Sequence, residues 1–164
     1  MNLLILGAGQ YGAVVKELAI ATRQFEMIDF LDDNKECAVG KFNEYKKFIG
    51  CYSHAIVAIG NPDIRLNLLE SLNGHFKIAT LIHPTAYVSP SAVIGSGCVI
   101  EPMAVVHTNA RLGMGVLISS GAIVNHGCMV GDGCHIDAGA VVTKETIVKA
   151  KAYLSANSAE KNIF

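Results

Sequence analysis

Residues 86–154 read AYVSPSAVIGSGCVIEPMAVVHTNARLGMGVLISSGAIVNHGCMVGDGCHIDAGAVVTKETIVKAKAYL, and a period of six runs through the whole stretch. Each hexad has a branched aliphatic residue at one position and, in nearly every case, a small residue two positions earlier. The aliphatic column is Val88, Ile94, Ile100, Val106, Leu112, Ile118, Val124, Val130, Ile136, Val142, Val148 and Leu154. Twelve unbroken hexads indicate a repeat architecture, in which each unit buries its apolar side only against its neighbours.

The six-residue period excludes the two common regular structures. A helix would repeat every 3.6 residues, and an ordinary strand alternates every two. We therefore predict an all-β solenoid of flat-sided coils, with both columns inside and with Gly, Asn, Asp and Ser at the turns. Cys98, Cys128 and Cys134 belong to the small column, so we expect them to fill the interior and not to act as nucleophiles or metal ligands.

The first half of the chain has a different organisation, in which short apolar runs alternate with helical periodicity. The predicted strands are Leu3–Leu6, Met27–Leu31, Ala55–Ile59 and Lys77–Ile82, with helices after the first and third. This alternation indicates an α/β, Rossmann-like domain with a parallel sheet, whose ligands bind at the carboxyl ends of the strands. We place this domain at residues 1–83 and the solenoid at 84–164.

The first strand runs into Gly7-Ala8-Gly9-Gln10-Tyr11-Gly12, a GxGxxG pattern. One interpretation is a dinucleotide site with Asp29 or Asp32 as the acidic partner. However, a domain of roughly 80 residues supplies only one mononucleotide half, so a mononucleotide or nucleotide sugar fits better. A purely structural role in a tight turn remains the alternative for the glycines, as does a solvated turn for Asp32 and Asp33.

Composition excludes several classes of partner. The formal net charge is −1 and no basic run occurs, so we expect neither nucleic acid nor an anionic membrane surface to bind. The five cysteines form no CxxC pair, which argues against a disulfide framework or a zinc site. The chain start lacks the charged region of a signal peptide, and no apolar run is long enough to span a bilayer. We therefore expect a cytoplasmic protein that binds a small ligand and no metal.

The hexads resemble those of the bacterial hexapeptide-repeat transferases, and the whole chain is similar to the sialic acid O-acetyltransferase and bacillosamine N-acetyltransferase group. The stretches that carry this resemblance are GAGQYG (7–12), FLDDN (30–34), AIGNPDIR (58–65), LIHPTAYVSPSA (81–92) and IVNHGCMVGDGCHI (123–136). The resemblance implies a left-handed parallel β-helix with three sides per coil, and hence about four coils. It also implies a homotrimer that binds acetyl-CoA as co-substrate between neighbouring prisms and often a nucleotide sugar in its N-terminal domain.

The same resemblance assigns roles to individual residues. His126 is the general base, and His135 and Lys144 contact acetyl-CoA; the alternatives are a solvent-exposed turn residue for His126 and a surface or trimer-interface residue for His135. The nucleotide part of the acceptor is held by Gly9, Gln10, Tyr11, Asp32, Asp33 and Gly60. The chemistry supports a histidine, since an amine or hydroxyl that attacks a thioester must lose a proton to a base that titrates near neutral pH. His107, which lies in another turn without a surrounding motif, is interpreted as a surface residue.

The chain departs from the group at two places. Gly127 follows His126, where the bacillosamine enzymes have an acidic residue, so another carboxylate such as Asp132 or Asp137 is a candidate to orient the imidazole. Residues 156–161 resemble the closing turn of the family, which predicts fewer coils after the site and weaker CoA binding.

The favoured hypothesis for function is acetylation of the amino group of a nucleotide-linked amino sugar in surface-glycan synthesis. The alternatives are O-acetylation of a sialic or related acid, and a non-catalytic partner of a sugar-biosynthesis enzyme. The γ-class carbonic anhydrases share such prisms, but the spacing of histidines here does not supply their three metal ligands.

Overall fold

The computed structural model describes residues 1–160, which fall into two compact units that divide between Thr80 and Leu81. The first unit contains β1 (Asn2–Leu6), α1 (Gln10–Thr22), β2 (Met27–Leu31), a 3-10 helix (Phe42–Phe48), β3 (His54–Val57), α2 (Pro62–Leu72) and β4 (Lys77–Ile78). None of the helices within residues 1–160 has the length and apolar character needed to cross a membrane.

The four strands of the first unit form one parallel sheet in the order β2-β1-β3-β4. Leu3–Leu6 are completely buried, as is typical of a central parallel strand that is covered on both faces. The chain moves from β1 to β2 on one side and then to β3 on the other, which creates a topological switch point between β1 and β3. The predicted Rossmann-like sheet is therefore confirmed.

One predicted strand is divided in the structure. Residues Lys77–Ile78 pair with β3, whereas Leu81–Ile82 form a separate strand, β5, which pairs with Val99–Ile100 of the second unit. A single strand over Lys77–Ile82 is therefore wrong, because the two halves of this apolar run extend different sheets. The second unit accordingly begins at Leu81, three residues before the boundary expected from the sequence.

The second unit consists of two-residue strands separated by four-residue corners. After β5 they are β6 (Tyr87–Val88), β7 (Val93–Ile94), β8 (Val99–Ile100), β9 (Val105–Val106), β10 (Arg111–Leu112), β11 (Leu117–Ile118), β12 (Ile123–Val124), β13 (Met129–Val130), β14 (His135–Ile136), β15 (Val141–Val142), β16 (Ile147–Val148), β17 (Tyr153–Leu154) and β18 (Ala159–Glu160).

These strands stack into three parallel sheets, which are the three faces of the left-handed β-helix that the sequence predicts. The first face contains β5, β8, β11, β14 and β17, the second contains β6, β9, β12, β15 and β18, and the third contains β7, β10, β13 and β16. Each strand residue pairs with the residue 18 positions later, as Leu81 does with Val99. A coil is therefore 18 residues long, and residues 18 apart lie at the same position of successive coils.

The described strands make between four and five coils, compared with the four expected from twelve hexads, because β5 and β18 add a strand at each end. Ala159–Glu160 pair with Val141–Val142, so these two residues of the expected closing turn extend the second face instead. The last residue of that turn, Lys161, lies outside the described residues.

The interior contains the two columns that the hexads predict. Ile100, Ile118 and Ile136 are completely buried, as are Cys98, Cys128 and Cys134 of the small column. The Cys128 Sγ donates to the carbonyl oxygen of Thr143 at 3.0 Å, and burial raises the pKa of this thiol. These cysteines are interior residues as predicted.

The corners from residue 97 onward share one backbone conformation. From residue 97 to residue 157, every sixth residue has a positive φ between 56° and 73°, the left-handed region. Glycine occupies six of these positions, and the others are Met103, Asn109, Glu145, Lys151 and Asn157. The position in the repeat thus determines the turn conformation, and glycine adopts it with the least strain.

Candidate functional site

The predicted base lies on the edge of the prism where the second face turns into the third. We call this the His126 edge, and define it by Ser89–Ser91, His107–Asn109, Asn125–Gly127 and Thr143–Glu145. Because a coil has 18 residues, His126 and Lys144 occupy the same corner position in successive coils. The Glu145 N–H donates to the His126 carbonyl oxygen at 3.0 Å, which connects the two coils at this point. The structure therefore brings two of the predicted residues onto one edge.

The imidazole of His126 is exposed, and its neighbour fixes its tautomer. Asn125 Oδ1 lies 2.8 Å from the backbone nitrogen of His126 and also 2.8 Å from Nδ1. A backbone N–H can only donate, so the atom facing it is the amide oxygen, which can only accept. Nδ1 of the neutral ring therefore carries the hydrogen, and Nε2 presents a lone pair. A lone pair at an exposed Nε2 is what a general base requires.

The two candidate carboxylate partners of His126 lie on other edges of the prism. Asp132, between the third and first faces, accepts from the Met114 N–H at 2.7 Å. Asp137, between the first and second faces, accepts from the Tyr153 hydroxyl. Neither edge is the one that contains His126, so within one prism neither carboxylate contacts the imidazole. The side chain that contacts the His126 ring within the prism is that of Asn125, which the sequence reasoning does not single out.

Gly127, which follows His126, lies beside Glu145 of the next coil. Gly127 has φ +70°, and a Cβ on it would lie 3.2 Å from the Cγ of Glu145. Glu145 has the equivalent turn position in the next coil and is itself left-handed, with φ +57°. The negative side chain at this corner therefore comes from the next coil, and glycine at position 127 leaves room for it.

The structure places a second imidazole beside His126. The rings of His107 and His126 are 6.1 Å apart between centroids at an interplanar angle of 70°, and the Tyr87 ring is 6.3 Å from that of His107. The three exposed rings form a row, in which His107 and His126 belong to the edge and Tyr87 to the adjoining strand β6. His107 is thus a surface residue, as interpreted from the sequence, but one that contacts the predicted base. The 18-residue spacing between positions 107 and 125 is the sequence signal that could have placed it here.

His135, predicted to contact acetyl-CoA, lies on the first face and not on the His126 edge. It is half-buried, with Nε2 2.9 Å from the Ser119 Oγ and 3.9 Å from Asp137 Oδ1. Its ring packs edge-to-face on Tyr153, with centroids 5.2 Å apart. Hydrogen bonds from the Tyr153 hydroxyl and from a backbone N–H, together with the nearby His135, lower the pKa of Asp137. Within one prism, His135 thus belongs to a separate polar group.

The residues predicted to bind the nucleotide lie together at the carboxyl edge of the parallel sheet. Gly9 precedes α1, whose first residues are Gln10 and Tyr11, and these follow β1. Asp32 and Asp33 follow β2, and Gly60 follows β3. Because β1 lies between β2 and β3, the three loops are neighbours at the switch point.

The glycines of these loops are of two kinds. A Cβ on Gly7, which has φ +111°, would lie 2.7 Å from the Ala58 carbonyl oxygen, and a Cβ on Gly12 would overlap the Gly7 carbonyl oxygen. Packing therefore requires both. A Cβ added to Gly9 or to Gly60 would meet nothing within 4 Å, so the protein's own packing does not require glycine there. Their backbones face open space on either side of the switch point, where a ligand can approach closely.

The aspartates have structural contacts of their own. Asp32 accepts from the Ala8 N–H at 2.8 Å and from the Asn34 N–H at 2.9 Å, and Asp33 accepts from the Phe42 N–H at 3.0 Å. Burial alone would raise the pKa of Asp32, but the backbone donors outweigh it and the pKa is lowered. Both aspartates line an open cavity of about 410 Å³ in the loop after β2. They hold this loop as well as facing the cavity.

Two family models match the chain. The PglD N-terminal domain matches residues 2–72, and the bacterial transferase hexapeptide (six repeats) matches residues 109–144. A curated relative, the UDP-N-acetylbacillosamine N-acetyltransferase of Bacillus subtilis (strain 168), is 37% identical in an alignment 110 residues long that covers 60% of this chain and 50% of that protein. The chain thus spans about half the length of this curated relative.

Solved structures match over almost the whole chain. The acetyltransferase domain of PglB from Neisseria gonorrhoeae FA1090 is 30% identical with a TM-score of 0.83, and the match covers 94% of this chain and 91% of that one. The same domain in complex with acetyl coenzyme A is 32% identical, with 93% and 86% covered and a TM-score of 0.83. A perosamine N-acetyltransferase from Caulobacter crescentus, in complex with CoA and GDP-perosamine, shares the fold with 24% identity, a TM-score of 0.72, and 97% and 90% covered. The chain therefore belongs to the group of hexapeptide-repeat acetyltransferases that contains the PglB acetyltransferase domain and the bacillosamine N-acetyltransferases.

Proposed function

We propose that the protein transfers the acetyl group of acetyl-CoA to the amino group of a nucleotide-linked amino sugar, in surface-glycan synthesis. The observation that carries this proposal is the His126 imidazole, exposed on an edge of the prism with its Nε2 lone pair fixed by Asn125. The relatives support it, since the curated protein is named as an N-acetyltransferase of an amino-sugar nucleotide and the PglB domain has been solved with acetyl coenzyme A.

The chemistry follows from this tautomer. The acceptor nitrogen attacks the thioester carbonyl carbon, and His126 Nε2 takes the proton that the nitrogen loses as the carbon–nitrogen bond forms. The carbon–sulfur bond then breaks, and CoA leaves as a thiolate that is protonated to the thiol. A covalent acyl-enzyme is not needed, and the buried cysteines of the interior are not available for one.

The proposal includes a homotrimer. His126 and His135 lie on different parts of one prism, so acetyl-CoA would contact both in a groove where the His126 edge of one copy meets the first face of another. Lys144, exposed one coil beyond His126, would pair with a phosphate of CoA. In such a groove, acetyl-CoA would contact His135 of one copy and Lys144 of another, which it could not do on a single prism.

The acceptor's nucleotide would bind at the switch point of the first unit, with Gly9 and Gly60 allowing the close approach of its phosphates and with Gln10, Tyr11, Asp32 and Asp33 around it. We place the reaction in the cytoplasm, the compartment that holds acetyl-CoA. The five free cysteines of the described residues are compatible with that reducing environment.

The test is a mass-spectrometric assay of acetylated product, with acetyl-CoA and two acceptors, a UDP-linked amino sugar and a free sialic acid, and with buffer alone as the blank. Product mass is preferable to a thiol reagent because Cys37 and Cys51 are exposed and would react. We expect acetylation of the amino-sugar nucleotide, and a loss of about 10²- to 10⁴-fold in His126→Ala. His75→Ala, which changes another exposed histidine, is the matched control and should keep full activity.

Each other outcome contradicts a stated part of the proposal. Acetylation of the sialic acid alone would replace N-acetylation by O-acetylation. If neither acceptor is acetylated, a non-catalytic partner of a biosynthetic enzyme is favoured. Full activity in His126→Ala would show that this residue is not the base.

A further inference from the structure

The register of the solenoid brings His107 next to the base. Strand β9 pairs with β12, with Val106 opposite Val124, so the two corners that follow these strands are stacked. The His107 N–H donates to the Val124 carbonyl oxygen at 2.9 Å and holds its corner against the next coil. Its exposed ring lies against the exposed ring of His126 at 6.1 Å between centroids.

Each imidazole has its tautomer fixed by a neighbouring hydrogen-bonding group, and the two tautomers are opposite. The Thr108 N–H donates to His107 Nδ1 at 2.9 Å, so that nitrogen carries the lone pair and the hydrogen of the neutral ring is on Nε2. In His126 the hydrogen is on Nδ1 and the lone pair on Nε2. The edge therefore presents one N–H donor and one base on neighbouring rings, whose centroids are 6.1 Å apart.

A sugar that bears an amino or hydroxyl nucleophile is suited to this pair. The nucleophile must give a proton to the base, and the hydroxyl on the neighbouring ring carbon has lone pairs that can accept from a donor beside it. On the far side of His107, the Tyr87 ring is 53% exposed and extends the row, which offers an apolar surface to the C–H groups of a sugar ring.

We propose that His107 binds the acceptor sugar by donating a hydrogen bond from Nε2 to the hydroxyl next to the group that His126 deprotonates. This inference rests on the proposed acetyl transfer and adds a contact on the acceptor side. If His107 has only a structural role, any flat ring at position 107 should give the same KM for the acceptor. A role in stabilising the oxyanion of the thioester predicts a change in kcat instead of in acceptor binding.

Two substitutions separate the ring from the donor. His107→Phe keeps an aromatic ring between Tyr87 and His126 but has no N–H, whereas His107→Gln lacks the ring but retains an amide N–H close to the place of Nε2. We expect His107→Phe to raise the KM for the acceptor about 3- to 10-fold, the equivalent of one neutral hydrogen bond, with kcat and the KM for acetyl-CoA within about twofold. His107→Gln should bring the acceptor KM back to within about twofold of the wild type.

An unchanged acceptor KM in His107→Phe, a fall in kcat alone, or equal effects of Phe and Gln would each overturn the inference. If wild-type protein acetylates no acceptor, the proposed function fails and this inference with it; if the wild type is active, only the inference is at stake. Long-range 1H–15N NMR of the wild type, which requires no variant to fold, should show the neutral ring of His107 protonated on Nε2 and that of His126 on Nδ1. The reverse assignment for His107 would refute the proposed contact.

Discussion

The side-chain oxygen of Asn125 accepts two hydrogen bonds from the same neighbour, one from the backbone N–H of His126 and one from its Nδ1, both at 2.8 Å. The first bond holds the amide in place, and the second holds the imidazole. If His126 is the base, Asn125→Ala should lower kcat by about 10- to 100-fold, because the ring is free to rotate and to change tautomer. Steady-state rates at saturating acetyl-CoA measure this effect.

Asn125→Asp is the matched control for that prediction, since it keeps an oxygen acceptor at the same place. We expect it to retain most of the activity that Asn125→Ala loses. Equal losses in the two variants would show that the acceptor oxygen is not what orients the ring.

A Cβ at position 127 should destabilise the fold. Gly127 has φ +70°, and a left-handed conformation costs a residue with a side chain roughly 1–2 kcal/mol. Gly121→Ala is the matched control, since Gly121 has φ +69° but nothing within 4 Å of the added atom, whereas Gly127→Ala also meets Glu145 at 3.2 Å. We expect both variants to lower the free energy of unfolding in urea, and Gly127→Ala to lower it more. Equal free energies of unfolding in the two variants would mean that the Glu145 side chain moves aside without loss of stability.

The glycines of the first unit allow binding and folding to be separated. Gly9→Ala adds a methyl group in open space at an ordinary φ of −73°, so stability should be unchanged while affinity for a nucleotide sugar falls. Gly12→Ala, in which the methyl group overlaps the Gly7 carbonyl oxygen, should destabilise the unit by about 1–3 kcal/mol. Urea unfolding and calorimetric titration with a UDP-sugar measure the two effects. Unchanged affinity in Gly9→Ala would argue against a ligand at this loop.

The Tyr153–Asp137 hydrogen bond predicts a pH dependence of stability. The bond lowers the pKa of Asp137 in the folded protein, so its stabilising effect is complete above the unfolded pKa of about 3.9 and is lost as the pH falls below it. Tyr153→Phe keeps the ring beside His135 and removes the hydroxyl. The variant should therefore be less stable than the wild type at pH 7, with a smaller difference at pH 3. A difference that is constant with pH would show that the Asp137 carboxylate is not involved.

The fold was predictable because each hexad repeats the same physical requirement. Ile118 and Ala122 have the same environment as Ile136 and Ala140 one coil later, and twelve repetitions leave no other period to fit. The division of Lys77–Ile82 was not predictable from its composition. Both halves have residues that favour a strand, and only their pairing with β3 or with β8 assigns them to different sheets. The 3-10 helix Phe42–Phe48 was also missed, because its seven residues show no clear period.

The site was only partly predictable. The motif around His126 pointed to the residue, and the strand–loop pattern placed Gly9 and Gly60 at one edge of a sheet. The partners of His126 depend on which residues are 18 apart and on how each ring is turned. Asn125 and His107 are ordinary corner residues in the sequence. Only the side-chain conformation shows that Asn125 contacts the imidazole of the next residue, and only the stacked register shows that His107 lies beside it.

The straight stacking of the corners separates stability from selectivity. Positions 89, 107, 125 and 143 form a line parallel to the solenoid axis, and none of them belongs to either interior column. Substitutions along such a line can alter which acceptor is chosen while the packed interior stays the same. Randomising positions 107 and 143 while keeping Asn125, which contacts the His126 ring, would therefore be a route to new sugar preferences, and divergence at such corner positions would let one scaffold acquire many substrates during evolution.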